Sequence, residues 1–260
     1  MFDTAMPATA LDAGDFNFDW HAGYEVSGIL DRGCGTGIEL RWMSVDPWDA
    51  STSVVTGMPA LVQINNAIPF FLPGVTQIDA NYSSGLHSLE LNYRKCWNDC
   101  TTVFAGFRYL ELDEHFHADV NAAVLATTYD VNTQNRLYGV QVGVQSALFS
   151  HVCWSFDGTA KAGLFANSSS QYSRLDTGIV SLDASGRSDR GAFVAELGVT
   201  GRRAINCNLD LMVGYNALFV ETVTLATDQF NSTNFITGTG IDHNGGVFYH
   251  GAFVGFELRR

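Results

Sequence analysis

Between residues 135 and 167 hydrophobicity alternates with a period of two, broken only once. Tyr138, Val140, Val142 and Val144 are apolar, and Gly139, Gln141, Gly143 and Gln145 between them are small or polar. After a short turn at Ser150-His151-Val152-Cys153 the alternation resumes. Trp154, Phe156, Gly158, Ala160, Ala162, Leu164 and Ala166 take one face, and Ser155, Asp157, Thr159 and Lys161 the other. Side chains of a strand point alternately to opposite faces, so this period specifies a hairpin with one apolar and one polar face. Each arm outruns the usual five or six residues of a soluble strand. Long strands that are greasy outside and polar inside are what a transmembrane β-barrel requires.

Charged residues make up 16% of the 260-residue chain, and Lys occurs only at 95 and 161. A soluble domain carries about 25%, so much of this surface is expected to avoid water. No apolar run reaches the roughly 18 residues of a membrane-spanning helix. A barrel reconciles the two facts, because only alternate residues of each strand need be apolar. The net charge of −13 excludes a nucleic-acid partner, since phosphates demand a basic face.

The unit recurs along the chain. Strands are expected at about 15–29, 36–48, 86–95, from Thr101 to 110, 135–149, 154–167, 190–203, 207–225 and 246–260. Residues 1–14 are a polar lead-in, and 15–260 form a single β-barrel domain. Short turns alternate with long loops at about 49–85, 111–134, 168–189 and 226–245. The first of these, with Pro59, Pro69, Pro73 and the apolar 68–72, is expected to fold back into the barrel mouth. The fold class is therefore all-β, an antiparallel up-and-down transmembrane β-barrel with nine visible strands. Single-chain bacterial barrels have an even strand count, short periplasmic turns and long external loops. The expectation is ten strands in the intact protein. The first strand would lie upstream of Met1, and the lead-in would be an external loop. Residues 1–7 lack the basic and apolar regions of an export signal, so the chain is expected to be a fragment.

The inward files carry charges of both signs. Glu25, Glu39, Glu90, Asp157, Glu196, Asp210 and Glu257 are acidic, and Arg41, Arg94, Arg108 and Lys161 are basic. In a narrow barrel they form a salt-bridge network, because each desolvated charge needs a partner. In a wider one they line a hydrated, cation-leaning pore. About ten strands is close to the size that side chains fill, which favours a plugged or very narrow lumen.

Cys34, Cys96, Cys100, Cys153 and Cys207 all fall in or beside the short turns. Turns in an oxidising compartment could carry disulfides, with Cys96 and Cys100 flanking one turn. His115 and His117 lie among acids in 111–119 and form a weak candidate metal site, against which stands a plainly solvated acidic strand end. Basic residues cluster near the short turns, whereas 109–135 holds acids and no Lys or Arg. Divalent cations bridging to anionic lipid are an expected partner of that acidic exterior, alongside outer-membrane lipid itself and further copies in an oligomer.

Three stretches stand out: Phe107-Arg108-Tyr109-Leu110-Glu111-Leu112-Asp113-Glu114, Lys161-Ala162-Gly163, and Gly245-Gly246-Val247-Phe248-Tyr249-His250-Gly251-Ala252-Phe253-Val254-Gly255. They resemble the strand motifs of an uncharacterised family of planctomycete outer-membrane β-barrel proteins. That family is itself distantly similar to the Legionella major outer-membrane protein group. The resemblance runs from about Asp15 to the C-terminus and implies fold and outer-membrane location, without any catalytic residue. The chain departs from it in ending Leu258-Arg259-Arg260 rather than on an aromatic residue. No nucleophile elbow, phosphate loop or paired-carboxylate signature occurs. The expectation is a non-enzymatic porin-like or structural envelope protein that needs no cofactor. The alternatives are a cation-leaning small-solute channel and a soluble ligand-binding barrel.

Overall fold

The structure, a computed structural model, describes residues 20–63, 71–122, 126–151 and 153–259. Nine antiparallel strands form one sheet in chain order. They are β1 (Gly23–Gly33), β2 (Thr36–Gln63), β3 (Phe71–Asn98), β4 (Thr101–Ala122), β5 (Ala126–His151), β6 (Trp154–Asp176), β7 (Ser181–Ala204), β8 (Leu209–Val223) and β9 (Gly245–Leu258). A single helical turn, α1 (Gln229–Ser232), lies between β8 and β9. The sheet coils, because residues of distant strands meet across its inner face. Ser84 of β3 hydrogen-bonds Tyr249 of β9 at 2.8 Å, and Lys161 of β6 donates to Glu90 of β3 at 2.9 Å. The expected lead-in and the start of the first strand lie outside the described residues, and β1 begins at Gly23.

The strands are far longer than the alternation of apolar residues indicates. β4 continues to Ala122 and β5 begins at Ala126, where a long loop is expected. Likewise β2 and β3 run through most of 49–85, and β6 and β7 are joined by residues 177–180 alone. The physical reason is an inversion of polarity at constant parity. On β4 the outward file reads Val103, Ala105, Phe107 and Tyr109, then Glu111, Asp113, His115, His117 and Asp119. The inward file changes in the opposite sense, from Gly106 and Arg108 to Leu110, Leu112, Glu114, Phe116, Ala118 and Val120, apolar from Leu110 on at every position but Glu114. β5 switches at the same level, with Val144, Val142, Val140 and Tyr138 outward, then Arg136, Gln134, Asn132 and Asp130. Below the switch the wall is greasy outside and charged inside. Above it the wall is polar outside and mixed inside, where apolar side chains such as Leu112, Phe116 and Val131 alternate with buried polar ones such as Glu114, Asn135 and Asn167.

The apolar outer belt is bounded by aromatic side chains. Tyr109 and Tyr138 pack at 5.0 Å between ring centroids at the switch. Phe149 and Phe156 lie at the short-turn end, where Arg203 also covers Trp154 at 5.1 Å. Tyrosines and tryptophans favour the two interfaces of a bilayer. Tyr138 and Phe149 are eleven residues apart, which is about 37 Å of strand and, at a tilt near 45°, about 25 Å of membrane. Val142 is 63% exposed in the middle of this belt. Val142→Arg is therefore expected to cost about 2–4 kcal/mol. Equilibrium unfolding in liposomes checks this, and the same substitution at outward Gln134 should cost little.

Candidate functional site

Inside the belt, the alternation places every sequence-predicted lumen charge in an ion pair. Arg108, 1% exposed, reaches Glu196 at 2.7 Å, Glu90 at 3.6 Å and the Ser88 hydroxyl at 3.0 Å. Lys161 bridges the same two carboxylates at 2.9 Å each. Arg41 contacts Glu196 at 3.6 Å and Glu25 at 2.8 Å. Below this cluster Arg94 donates to Glu39 at 2.6 Å. Asp157 and Glu257 pair with Arg202, and Asp210 with Arg259. Glycines make the room. A Cβ on Gly143 would lie 2.3 Å from the Phe104 ring, and one on Gly139 would lie 2.5 Å from Phe165. Gln141 and Asn92 complete the polar set, with Gln141 donating to Glu90 at 2.7 Å. Arg202 and Arg259, absent from the lumen charges read from the sequence, supply the partners of Asp157, Glu257 and Asp210, and Arg202 shares the even parity of Glu196 on β7.

Above the charges lies an apolar layer of Leu86, Leu110, Leu112, Leu137, Phe165 and Leu218. Above that, the β8–β9 connection enters the barrel. The entry is built into the backbone: Thr222 takes a left-handed φ of 66°, and the β8–β9 register shifts between Glu221 and Val223. The wall then holds the entering chain by its main chain. The Asn135 side chain donates from Nδ2 to the Thr224 carbonyl and accepts from the Thr224 N–H at Oδ1, both at 2.8 Å. Asn167 Nδ2 donates to the Thr222 carbonyl at 3.0 Å. The Ala226 N–H donates to Glu114 Oε2 at 2.8 Å. Farther on, Phe230 stacks edge-on against Phe116 at 4.8 Å and on Tyr129 at 5.3 Å, and Phe235 meets Tyr129 at 6.0 Å. The connection bonds itself as well, for Gln229 exchanges 2.8 Å hydrogen bonds with both main-chain groups of Asp242. The mouth is thus entered by this connection, with Thr224, Ala226, Phe230 and Phe235 against the inner wall and Gly238 and Thr239 paired with Ser185 of β7. The expected plug segment, 68–72, lies at or beyond the described limits of β2 and β3.

Burial holds the Glu114 carboxyl up at about 7, against hydrogen bonds from Tyr82 and Ala226 that oppose the rise. Asp228 of the plug is raised in the same direction, first by burial and then by Asp242. An acid with a raised folded-state pKa stabilises the fold fully below its ordinary value near 4.5, and that contribution is lost as pH climbs through 7. The filled barrel is therefore expected to lose about 3 kcal/mol from Glu114 between pH 4.5 and 8. Glu114→Gln should remove that part of the slope, as read from unfolding midpoints across this range.

The remaining sequence candidates separate. Cys34, Cys96, Cys100, Cys153 and Cys207 are all exposed free thiols at the short-turn end of this structure. Cys96 stands opposite Thr102, with Sγ to Oγ1 at 3.8 Å, and Cys100 lies past the end of the pairing. His115 and His117 belong to strand β4 rather than to a loop, with both rings outward. His115 contacts Asn132 at 2.7 Å, and His117 contacts Asp130 at 2.6 Å and Asp119 at 3.3 Å. The hydrogen bond from His117 to Asp130 leads the causes that raise its pKa. Among the described residues no group of three or more His, Cys, Asp or Glu side chains is arranged to hold a metal ion.

Residues 49–241, about three-quarters of the chain, match the family described as beta barrel porin-7 (BBP7), and the chain belongs to that family. No curated protein and no solved structure matches it.

Proposed function

We propose that this beta barrel porin family member is a non-enzymatic, porin-like barrel of a bacterial outer membrane whose lumen rests closed. The observation that carries the reading is the seating of Ala226, Phe230 and Phe235 of the β8–β9 connection inside the wall, above an apolar layer and a paired-charge layer. An open porin keeps a hydrated lumen. Here carboxylates that a cation-selective pore would expose, Glu39, Glu90, Glu196 and Asp210, are each neutralised by a neighbouring cation. The short turns face the periplasm, and the polar upper wall stands outside the cell. That placement accords with the resemblance of Phe107–Glu114 and of the last strand to planctomycete outer-membrane barrels.

Swelling of proteoliposomes in small sugars tests the reading. Wild-type protein should swell no faster than empty liposomes. A Phe230→Ser/Phe235→Ser variant, with its plug loosened from Phe116 and Tyr129, should let small solutes pass. Rapid swelling with the wild type would contradict a closed resting state.

A further inference from the structure

Two grooves lie one above the other on the outer wall, and they follow two cross-strand rows. The lower row is Leu91–Phe107–Val140–Leu164–Phe193, and the upper is Gly85–Asp113–Gln134–Ser170–Arg187. On each of the five strands the rows are six residues apart, or about 20 Å along the strand. The lower groove, of about 1010 Å³, is lined almost wholly by apolar side chains, with Tyr93, Phe107 and Val142 standing around Ala105 and Ala162. The upper groove, of about 810 Å³, is polar and includes His115, Asn132 and Tyr172 besides its row. Between the two rows run the Tyr109–Tyr138 pair and the ion pair of Glu111 with Arg136 at 3.3 Å.

An apolar groove within the lipid-facing belt, set below a groove that offers both hydrogen-bond donors and acceptors and separated from it by the Tyr109–Tyr138 and Glu111–Arg136 rows, has the outline of one amphiphile. The upper lining suits hydroxyl groups better than a bare ion. Asn and Gln supply both roles, Ser and His either, Asp113 accepts, and Arg187 donates. We propose that the outer wall of β3–β7 binds one glycolipid of the outer leaflet, its acyl chains along the lower row and its sugar headgroup in the upper. This rests on the membrane reading above. Both rows lie on the outer face of the wall, opposite the plug and the ion layer.

The test uses the full chain in phosphatidylcholine nanodiscs doped with rough-type lipopolysaccharide, with lipid retained per protein measured by mass spectrometry. Ser170→Trp fills the upper groove, Ala162→Trp fills the lower, and Val254→Trp on β9 is the control. Wild type and control should retain one glycolipid per chain, and each groove variant about tenfold less. Equal retention by wild type and both groove variants, in discs that the protein enters, would overturn the site alone. Phosphatidylcholine held as firmly as glycolipid would overturn the headgroup assignment. Failure of the folded wild-type chain to enter discs would overturn the membrane reading and the site with it.

Discussion

An Arg108→Met barrel is expected to be less stable than the wild type by about 3–5 kcal/mol, the cost of leaving buried carboxylates without a partner. Arg108 lies at the centre of the ion layer, 1% exposed, between Glu90 and Glu196. Lys161 remains between the same two carboxylates, which places the loss toward the lower end of that range. Adding Glu196→Gln to Arg108→Met removes the stranded charge and should recover part of the loss, because a buried pair replaced on both sides costs far less than one broken on one side. Urea midpoints of the refolded proteins in liposomes, followed by tryptophan fluorescence, measure both steps. A loss no larger than that for an exposed ion pair would show that water reaches this layer.

Phe116→Ala carries the second large effect. Phe116 is 2% exposed and packs the wall of the upper barrel against Phe230 of the plug. Truncating a buried Phe removes its transfer energy and leaves a cavity, together about 3–5 kcal/mol. The neighbouring outward position, His117→Ala, should cost much less at neutral pH, although both residues sit where the apolar alternation has ended. That contrast is the sharpest consequence of strands that continue above the membrane. In a solvated loop, neither residue would matter much.

Much of the lower barrel was legible in the sequence. There the faces are set by parity, and parity survives from Val103 to Tyr109 and from Tyr138 to Val144 without a bulge. The inward charges were legible for the same reason, and so was their need for partners. The upper barrel was not. At Tyr109 and Leu110 the greasy file passes from the outside to the inside, so a reader following apolar residues outward sees the strand stop. A polar file such as Glu111, Asp113, His115 and His117 looks like a loop unless Leu112, Phe116 and Ala118 between its members are read as a core. The plug was hidden more deeply. Phe230 and Phe235 sit in a stretch rich in Asn, Thr and Gly. Their burial depends on wall residues of β3 to β6, more than fifty positions away in sequence. The apolar run at 68–72 drew attention because its hydrophobicity is local.

The most direct measurement is single-channel recording of the refolded wild-type protein in planar bilayers. The account predicts a folded, heat-modifiable barrel that is silent, with unitary steps emerging only when the seating of Ala226, Phe230 and Phe235 is disrupted. Stable steps from the wild type, persisting with Phe230 and Phe235 intact, would contradict a lumen closed by its own loop and ion layer.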